Sequence, residues 1–524
     1  DVSCEISIKD LDSNQIYNNN NNDIGNIDQN SNFTWNLEIE RDLLIPHLDK
    51  ELLFSIQPNC KFRGDSVQCP EFIGSIAIRE SINLSEEDII WDETQTDVPE
   101  NLFKGREGLL NELKYHYKST NRNRTKVLYG MSRHGKTSLQ NYLANILKDE
   151  EISIDSKKKT IFPIYWDFST ATGQEKSNDF WHNLLIGGED LQQTRINGII
   201  EAFKSYYPDL YNKSVQIKNI HMKSSIRFKH FIEIITEIND LGLYPLIVID
   251  EFETIKSVMP DNEKDKNAIL SWERLHVFRQ MSLKNQASFI FAGQHESLDI
   301  IESGYRASFT NCDPIHVGVI DRQSATEIIT AQPKIEFNKE AINAILIGSN
   351  NLPWAIQLIC RRCGIYAVQN QRDLIGPNEV EHIIKILCGE IESDTLGIGK
   401  LEAQLASVVY RKNEYIHNAI LTIFAHKTHS FEDWIEESEF ETIWSEHFTK
   451  YTNHSKMTKR KQNALDQLIQ RKVIQEESSD GIYKYKISME LFRRLWKVKN
   501  PHMKRYLDKI LDADEQYSKE VYSL

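Results

Sequence analysis

Residues 124–147, RTKVLYGMSRHGKTSLQNYLANIL, decide to which fold class the chain belongs. An apolar run of the strand type ends at Gly130, four residues follow, and Gly135-Lys136-Thr137 comes next. The apolar residues behind this tripeptide have the i, i+3, i+4, i+7, i+8 spacing of one helix face and are Leu139, Tyr142, Leu143, Ile146 and Leu147. The stretch therefore predicts a strand, a phosphate-binding loop and a helix, in that order.

The loop matches G-x-x-x-x-G-K-[ST], in which each fixed position has a chemical role. Gly130 and Gly135 are expected to permit backbone angles that turn successive N–H groups toward phosphate oxygens. Lys136 is predicted to reach the β- and γ-phosphates and to be catalytic, and the Thr137 hydroxyl is predicted to bind Mg²⁺. Ser138 lies at the start of the helix, whose positive dipole end attracts phosphate, and joins the nucleotide-binding residues. The loop thus predicts a site for ATP or ADP with Mg²⁺.

A second segment, LIVIDEFE at residues 246–253, supplies two adjacent acids at the end of a wholly apolar strand. In P-loop enzymes an acid at this point holds Mg²⁺, so Asp250 is predicted to be a metal ligand. Glu251 is predicted to polarise the attacking water as the general base; alternatively, it caps the next helix or pairs with a lysine. A carboxylate at this place favours slow, regulatory, Mg²⁺-dependent ATP hydrolysis over simple nucleotide storage.

Bulk composition restricts the class of protein. A chain of 524 residues is too long for one ordinary core, and about two to four domains are expected. Its 62 basic and 77 acidic residues give a net charge of −15, which does not favour a protein that mainly coats nucleic acid.

No apolar run approaches the ~18 residues of a membrane span, and no secretory leader is visible. Only Cys360 and Cys363 form a CxxC pair, which is interpreted as ordinary buried thiols, with metal or redox use as the alternative. A cytoplasmic protein without membrane contact is expected.

The segment upstream of the loop carries a resemblance to known families. Residues 101–113, NLFKGREGLLNEL, contain Phe103, Gly105, Arg106 and Glu107. Placed before the loop, this segment resembles the hydrophobic-hydrophobic-GRE motif of the STAND ATPases (signal-transduction ATPases with numerous domains) and of AAA+ proteins of the origin-recognition type. In those families the motif lies beside the adenine, so the resemblance implies a base-side role for Arg106.

A later segment extends the resemblance to the STAND group. Residues 341–369, AINAILIGSNNLPWAIQLICRRCGIYAVQ, are similar to the helical lid of prokaryotic STAND proteins, where a Gly-x-Pro element approaches the nucleotide. Pro353 matches this element and is therefore assigned to the nucleotide site, although Asn351 stands where the group has glycine. The resemblance also implies a winged helix after the lid, and it covers roughly residues 102–499.

Composition and resemblance together predict five parts, namely a β-rich N-terminal domain with a disordered asparagine-rich loop (1–95), a P-loop ATPase core (101–315), a helical lid (316–396), a winged-helix domain (397–500) and a C-terminal helix (501–524). The core strands KVLYG, TIFPIYWDF, YPLIVIDEF and SFIFAG alternate with amphipathic stretches, as in a parallel sheet covered by helices. FTWNLEIE, ELLFSIQP and FIGSIAIRE are read as N-terminal strands. The predicted fold class is α/β, a P-loop NTPase parallel sheet core followed by a helical lid and a winged-helix domain and preceded by a small β-rich domain.

Several polar residues near the predicted site allow two interpretations. Gln294 follows the SFIFAG strand, where AAA+ relatives place a polar sensor, and it is assigned to the nucleotide site. His295 could serve instead, or both could lie in an exposed turn. Arg306 either reaches a neighbouring subunit's nucleotide or is an ordinary surface arginine. Arg133 and His134 are expected to face solvent or a partner domain.

The predicted winged helix contains a basic helix, HSKMTKRKQNALDQLIQRK, and a hairpin in which KVIQEE and IYKYKIS are joined by SSDG. The helix carries a cluster of cations, Lys456, Lys459, Arg460 and Lys461. These would face phosphates if the helix reads DNA; alternatively they form a solvated face on a domain used for intramolecular locking, which the net charge favours.

The resemblance implies a regulatory ATPase of the STAND type. ADP would favour a closed form, and ATP an open form that self-associates or engages a partner effector protein once a protein or phage-derived trigger is sensed. In bacteria such architectures often serve anti-phage defence with an attached or recruited effector. The alternative is a DNA-associated AAA+ loader resembling the origin-recognition proteins; the acidic net charge makes direct DNA binding the less favoured hypothesis.

Overall fold

The computed structural model describes residues 2–10, 16–18, 50–62, 65–68, 72–78, 84–92, 98–99, 101–119, 125–131, 133–167, 224–254, 272–294, 297, 300–301, 311–391, 415–430, 432–452 and 455–510. The chain divides into two compact units, Asp1–Leu84 with Gln371–Asp373, and Ser85–Asn370 with Leu374–Leu524. The predicted FTWNLEIE strand and the asparagine-rich loop lie outside the described residues.

The first unit contains an antiparallel β-sheet. Its described strands are β1 (Val2–Asp10), β2 (Ile16–Asn18), β3 (Lys50–Phe62), β4 (Asp65–Gln68) and β5 (Phe72–Ile78). The order is β2-β1-β3-β4, and β5 pairs with the first part of β3. Apolar and polar residues alternate along VSCEISIKD of β1, which is the period of a strand with one buried face. This sheet is the β-rich domain that the sequence predicts.

The second unit begins with a core sheet of the order β11-β6-β10-β9-β8-β7. Its strands are β6 (Thr125–Tyr129), β7 (Glu151–Ile154), β8 (Lys157–Asp167), β9 (Leu243–Asp250), β10 (Ser288–Gly293) and β11 (Cys312–His316). All neighbours run parallel except the β7–β8 hairpin. Strand β10 is buried along its whole length, as its unbroken apolar sequence requires in a sheet covered on both faces.

Four helices of the core lie in the described part of the chain. They are α1 (Glu107–Lys118), α2 (Lys136–Leu147), α3 (Ser224–Asp240) and α4 (Trp272–Leu283). Helix α2 buries Leu139, Leu143 and Leu147 in the core. The amide of Gln140 on the same helix donates to the Ile249 carbonyl at 3.2 Å, so the helix after the loop is bonded to the strand that ends in Asp250.

In the described residues after the core, four helices come first: α5 (Arg322–Ile329), α6 (Lys339–Ser349), α7 (Pro353–Asn370) and α8 (Pro377–Leu387). Two short strands pair in parallel among these helices: β12 (Glu336–Phe337) lies between α5 and α6, and β13 (Leu374–Ile375) lies between α7 and α8. Asp321 and Asn338 cap α5 and α6 through their side-chain oxygens. Cys360 and Cys363 are buried in α7, and burial raises the pKa of both thiols, so they remain protonated and unreactive.

The chain continues into a winged-helix arrangement. Its elements are α9 (Tyr415–Lys427), β14 (Ile435–Glu436), α10 (Glu437–Thr452), α11 (Ser455–Gln470), β15 (Ile474–Ser479), β16 (Ile482–Ile487) and α12 (Glu490–Lys499). Asp480 and Gly481 turn the β15–β16 hairpin with φ of 54° and 78°, as in a two-residue turn with positive φ at both positions. The fold class is therefore confirmed as a P-loop NTPase core with a helical lid and a winged helix, preceded by a β-rich domain. Residues 503–510 are helical.

In the part of the chain that the structure describes, no helix combines the length and the apolar character needed to cross a membrane.

Candidate functional site

The phosphate-binding loop connects β6 to α2, and its two glycines are needed for different reasons. Gly135 has φ of 81° and precedes the first turn of α2, a conformation that favours glycine. Gly130 does not have a positive φ, so a left-handed backbone angle does not explain the glycine at this position. A Cβ on Gly130 would collide with the carbonyl oxygen of Val317. Gly130 is therefore explained by the close approach of another segment.

The side chains of Lys136 and Thr137 lie at the start of α2. The Lys136 ammonium is buried and donates to the carbonyls of Gly130 at 3.1 Å and Met131 at 2.8 Å. The Thr137 hydroxyl donates to a carboxylate oxygen of Asp250, at the end of β9. Two oxygens that the sequence assigns to one Mg²⁺ thus lie side by side. Ser138 occupies the same first turn of the helix.

Three acids lie at the end of β9: Asp250 is its last residue, and Glu251 and Glu253 come shortly after it. The Glu251 backbone N–H donates to Asp250 Oδ1 at 2.9 Å, and Glu251 has a left-handed φ of 53°. Burial raises the pKa of Glu251 to about 8, and the negative charges of Glu253 and Asp250 add to the effect. Lys136 acts in the opposite direction and lowers this pKa. The candidate base is therefore in electrostatic contact with the loop lysine and with both neighbouring acids.

Glu253 joins these acids to the end of β10. Its Oε2 accepts the backbone N–H of Gln294 at 3.0 Å. Gly293 allows this approach, because a Cβ there would collide with Glu253 Oε2. The structure thus brings the backbone of Gln294 to the acidic cluster, while the role of its half-buried side chain as a sensor stays a prediction. His295 and Arg306 lie outside the described residues.

Arg106 is held by backbone carbonyls. Its guanidinium donates to the carbonyl of His134 at 3.2 Å and to that of Gly318. Burial lowers the pKa of Arg106 to about 10, so the group stays charged at neutral pH. The predicted role of Arg106 beside the adenine stays a prediction; its described contacts connect the GRE segment, the loop and the segment after β11.

Pro353 begins helix α7 of the lid, and the next residue, Trp354, contacts the loop. The guanidinium of Arg133 lies 5.6 Å from the centre of the Trp354 ring, within the range of a cation–π contact. Arg133 therefore faces the lid. Whether Pro353 contacts the nucleotide stays a prediction.

His134 is buried, which contradicts the expectation that it faces solvent or a partner domain. Only 3% of its surface is exposed, and Nδ1 lies 2.9 Å from the Val317 carbonyl oxygen. Burial lowers the pKa of His134 to about 3, so the ring is neutral and donates from Nδ1. The physical reason is that the segment after β11 closes over the loop, which local sequence does not reveal.

Lys461 is also buried, so the prediction that all four cations of α11 form one exposed face is wrong at this residue. Its ammonium pairs with Glu441 and lies 5.6 Å from the Phe440 ring centre. Lys459 and Arg460 are exposed.

Sequence reasoning missed Glu253, Trp354 and the inward role of His134. A signal existed for Glu253, because a third acid stands two residues after Glu251 in LIVIDEFE. Trp354 follows the Pro353 that the resemblance singled out, but nothing local pairs it with Arg133. For His134 no local signal existed, since its partner lies 183 residues further along the chain.

These residues fit a nucleotide with Mg²⁺. The loop has a left-handed glycine before the helix, a buried lysine whose ammonium hydrogens point to loop carbonyls, and a hydroxyl in contact with a carboxylate. Hard oxygen donors of this kind suit Mg²⁺, which completes its shell with water and phosphate oxygens. Lys136, Thr137 and Asp250 would therefore hold the phosphates and the ion.

No protein-family model matches the chain, and no curated protein matches it. Among solved structures, the ORC2 protein of Aeropyrum pernix in ADPNP–ADP complexes overlaps with 78% of this chain and 95% of its own, at 12% identity and a TM-score of 0.48. Cdc6p of Pyrobaculum aerophilum overlaps with 82% of this chain and 99% of its own, at 14% identity and a TM-score of 0.35. RuvB of Thermotoga maritima overlaps with 60% and 80%, respectively, at 14% identity and a TM-score of 0.34. These identities and TM-scores are low, so functional statements about this chain rest on its own side chains.

Proposed function

We propose that this chain binds ATP with Mg²⁺ at the loop between β6 and α2 and hydrolyses it slowly, as a regulatory ATPase. The observation that carries the proposal is the contact of the Thr137 hydroxyl with the Asp250 carboxylate. These residues lie 113 positions apart, yet they meet beside a buried lysine and a second acid. A chance glycine-rich turn would not require this convergence.

Each residue has a distinct task in the proposed reaction. Lys136 neutralises the β- and γ-phosphates, and Thr137 and Asp250 orient the metal. Mg²⁺, when bound, supplies charge neutralisation at the phosphate oxygens. Glu251 accepts a proton from the attacking water, and Glu253 is bonded to the end of β10 beside it.

Substitutions at three positions test the proposal. Lys136→Ala should remove nucleotide binding, because the buried cation at the phosphates is lost. Asp250→Ala should weaken binding that depends on Mg²⁺. Glu251→Gln should leave ATP binding intact and slow turnover by roughly 10²–10⁴-fold, since a general base is removed.

Binding is measured by titration with a fluorescent ATP derivative, and turnover by phosphate release. Lys148→Ala, at an exposed lysine just after α2, is the matched control and should behave as the parent. If Glu251→Gln hydrolyses ATP at the parental rate, the base assignment is wrong; if the parent binds no nucleotide, the proposal as a whole fails.

For the output of the ATPase, the first hypothesis is a STAND-type switch. ADP would favour a closed form and ATP an open form that assembles or engages an effector after a trigger, as in bacterial anti-phage defence. One observation in favour is the charge of the wing: Glu476, Glu477 and Asp480 are all exposed on the β15–β16 hairpin. An acidic wing would repel DNA phosphates and suits a contact with protein.

The second hypothesis is a DNA-associated AAA+ ATPase. Lys459 and Arg460 are exposed on α11, the helix that would enter a groove in a winged-helix complex with DNA. The names of the overlapping solved structures, origin-recognition proteins and RuvB, accord with this hypothesis more than with the STAND one.

Duplex DNA binding at several salt concentrations separates the two hypotheses. A DNA-associated ATPase should bind at sub-micromolar strength, lose affinity steeply with salt, and weaken when Lys459 and Arg460 are both changed to Ala. The matched control is Lys157→Ala/Lys158→Ala, at two exposed lysines near the β7–β8 turn. Absence of binding even at low salt would contradict the DNA-associated hypothesis.

A further inference from the structure

The segment that connects the core to the lid, residues 317–320, runs directly over the phosphate-binding loop. We call it the core–lid linker; it lies between strand β11 and the cap of helix α5. The Val317 N–H donates to the Tyr129 carbonyl at 2.8 Å, immediately before Gly130. At its other end, the Ile320 N–H donates to the Asn351 carbonyl at 3.2 Å, in the turn before α7. The linker therefore has one end bonded to the loop strand and the other bonded to the lid.

Two glycines show how closely the linker is packed. Gly130 has no room for a side chain because of the Val317 carbonyl. Gly105, in the GRE segment, has φ of 73°, and a Cβ there would lie 2.8 Å from the Ile320 Cβ. Little free space remains on these sides of the linker, so a displacement of the loop either moves the linker or is resisted by it.

His134 is the side chain of the loop that holds this linker. Its Nδ1 donates to the Val317 carbonyl at 2.9 Å, and its own carbonyl accepts from Arg106, which also bonds Gly318. Within the loop, the His134 N–H points to the Met131 carbonyl at 3.4 Å, and the same carbonyl accepts from Lys136 at 2.8 Å. His134 thus shares an acceptor with the lysine on one side and contacts the linker on the other.

We propose that His134 is a positioning residue that transmits nucleotide binding from the loop to the lid through the Val317 carbonyl. The inference rests on the proposed function, because phosphate oxygens would compete with the Gly130 and Met131 carbonyls for the hydrogens of Lys136. The loop backbone from His134 to Lys136 then adjusts, and the linker follows because it is bonded to His134. The Asn351 turn, bonded to Ile320, moves with the linker.

Amide hydrogen exchange on the full chain measures this coupling directly. The reporters are the Val317 and Ile320 amides, each bonded across one junction of the linker. In the parent, Mg·ATP should slow exchange at both amides by about tenfold, as expected when a local opening is suppressed. In His134→Leu, which cannot donate to Val317, exchange is compared at a saturating concentration of Mg·ATP that is set from the measured affinity of the variant. The slowing at Ile320 should be lost in this variant.

Conservative rescue separates coupling from stability. His134→Asn retains a side-chain N–H donor and should restore the nucleotide-dependent slowing at Ile320. His382→Leu, at an exposed histidine of α8, is the matched control and should respond as the parent does.

Two results would overturn the inference: an unchanged response of Ile320 in His134→Leu, or a parent whose linker amides do not respond to bound Mg·ATP. The second readout requires no variant, so the test holds even if His134→Leu fails to fold. A parent that binds no nucleotide at all would instead refute the proposed function.

Discussion

At the scale of single residues, the protonation of Glu251 is the property with the clearest consequence. A general base must be unprotonated to accept a proton, yet burial and the charges of Glu253 and Asp250 raise the pKa of Glu251 to about 8. In the free protein this carboxyl therefore reaches its unprotonated, active form at a higher pH than an ordinary glutamate does.

The pH dependence of ATP hydrolysis should reflect this pKa. The ratio kcat/KM reports groups of the free enzyme, so it should rise about tenfold per pH unit below the pKa of Glu251 and level off above it. Glu253→Gln removes one of the charges that raise this pKa, so the rising limb should shift to lower pH. Glu233→Gln, at an exposed glutamate of α3, should leave the profile in place. A parental profile that is flat between about pH 6 and pH 9 would contradict the assignment.

At the scale of elements, the conformation of the loop between β6 and α2 depends on the core–lid linker that packs against it as well as on its own residues. Gly135 is required by its own left-handed backbone, whereas Gly130 is required by the Val317 carbonyl of the core–lid linker. A side chain at Gly135 would thus be opposed by the local backbone angle, whereas a side chain at Gly130 would be opposed by a tertiary contact.

Alanine substitutions at two glycines test this distinction. Gly130→Ala should lower the free energy of unfolding by about 1–3 kcal/mol, because the added Cβ displaces the linker. Gly108→Ala, in the first turn of α1, meets no atom within 4 Å and should be neutral or stabilise by up to about 1 kcal/mol. The stability of both variants is measured by urea unfolding. If Gly130→Ala is as stable as Gly108→Ala, the linker accommodates the added Cβ without cost and the prediction is wrong.

At the scale of the whole molecule, the lid and the winged helix are joined by helix α12. Arg494 on this helix bonds both carboxylate oxygens of Glu390, each at 2.6 Å, and also Glu381 of α8. Burial opposes the charge of Arg494, but the hydrogen bonds that it donates to Glu390 and Glu381 outweigh the effect of burial and raise its pKa. Bidentate geometry of this kind makes a fixed connection, so lid and winged helix are expected to move together.

Loss of this connection should uncouple the two parts. Arg494→Met keeps the apolar stem but removes the guanidinium that Glu381 and Glu390 share, and should cost about 1–3 kcal/mol given the partial exposure of the acids. Calorimetry should then resolve a separate, earlier transition for the winged helix. The control is Lys385→Met, whose pair with Glu381 spans 3.7 Å at the surface and should contribute less than about 0.5 kcal/mol. A single parental transition in Arg494→Met would contradict the coupling.

Contiguous residues were sufficient to predict the fold class and to nominate the central residues of the candidate site. The loop motif, the apolar strand ending in Asp250 and the SSDG hairpin each lie within about ten residues, and their physics is local: backbone angles, strand and helix periods, and the end of a strand. For this reason the predicted strands and helices of the core, the lid and the wing agree with the described structure.

Tertiary structure alone decided which side chains the remaining segments bring to the loop. His134 turns inward to Val317 across 183 positions, Glu253 accepts the Gln294 N–H across 41, and Lys461 is buried against Glu441. Sequence spacing does not encode these contacts, because they arise only when the sheet order and the path of the core–lid linker are set by the packing of the whole chain. The residues of the loop were thus identifiable in the sequence, whereas the contact of His134 with the core–lid linker depends on the tertiary fold.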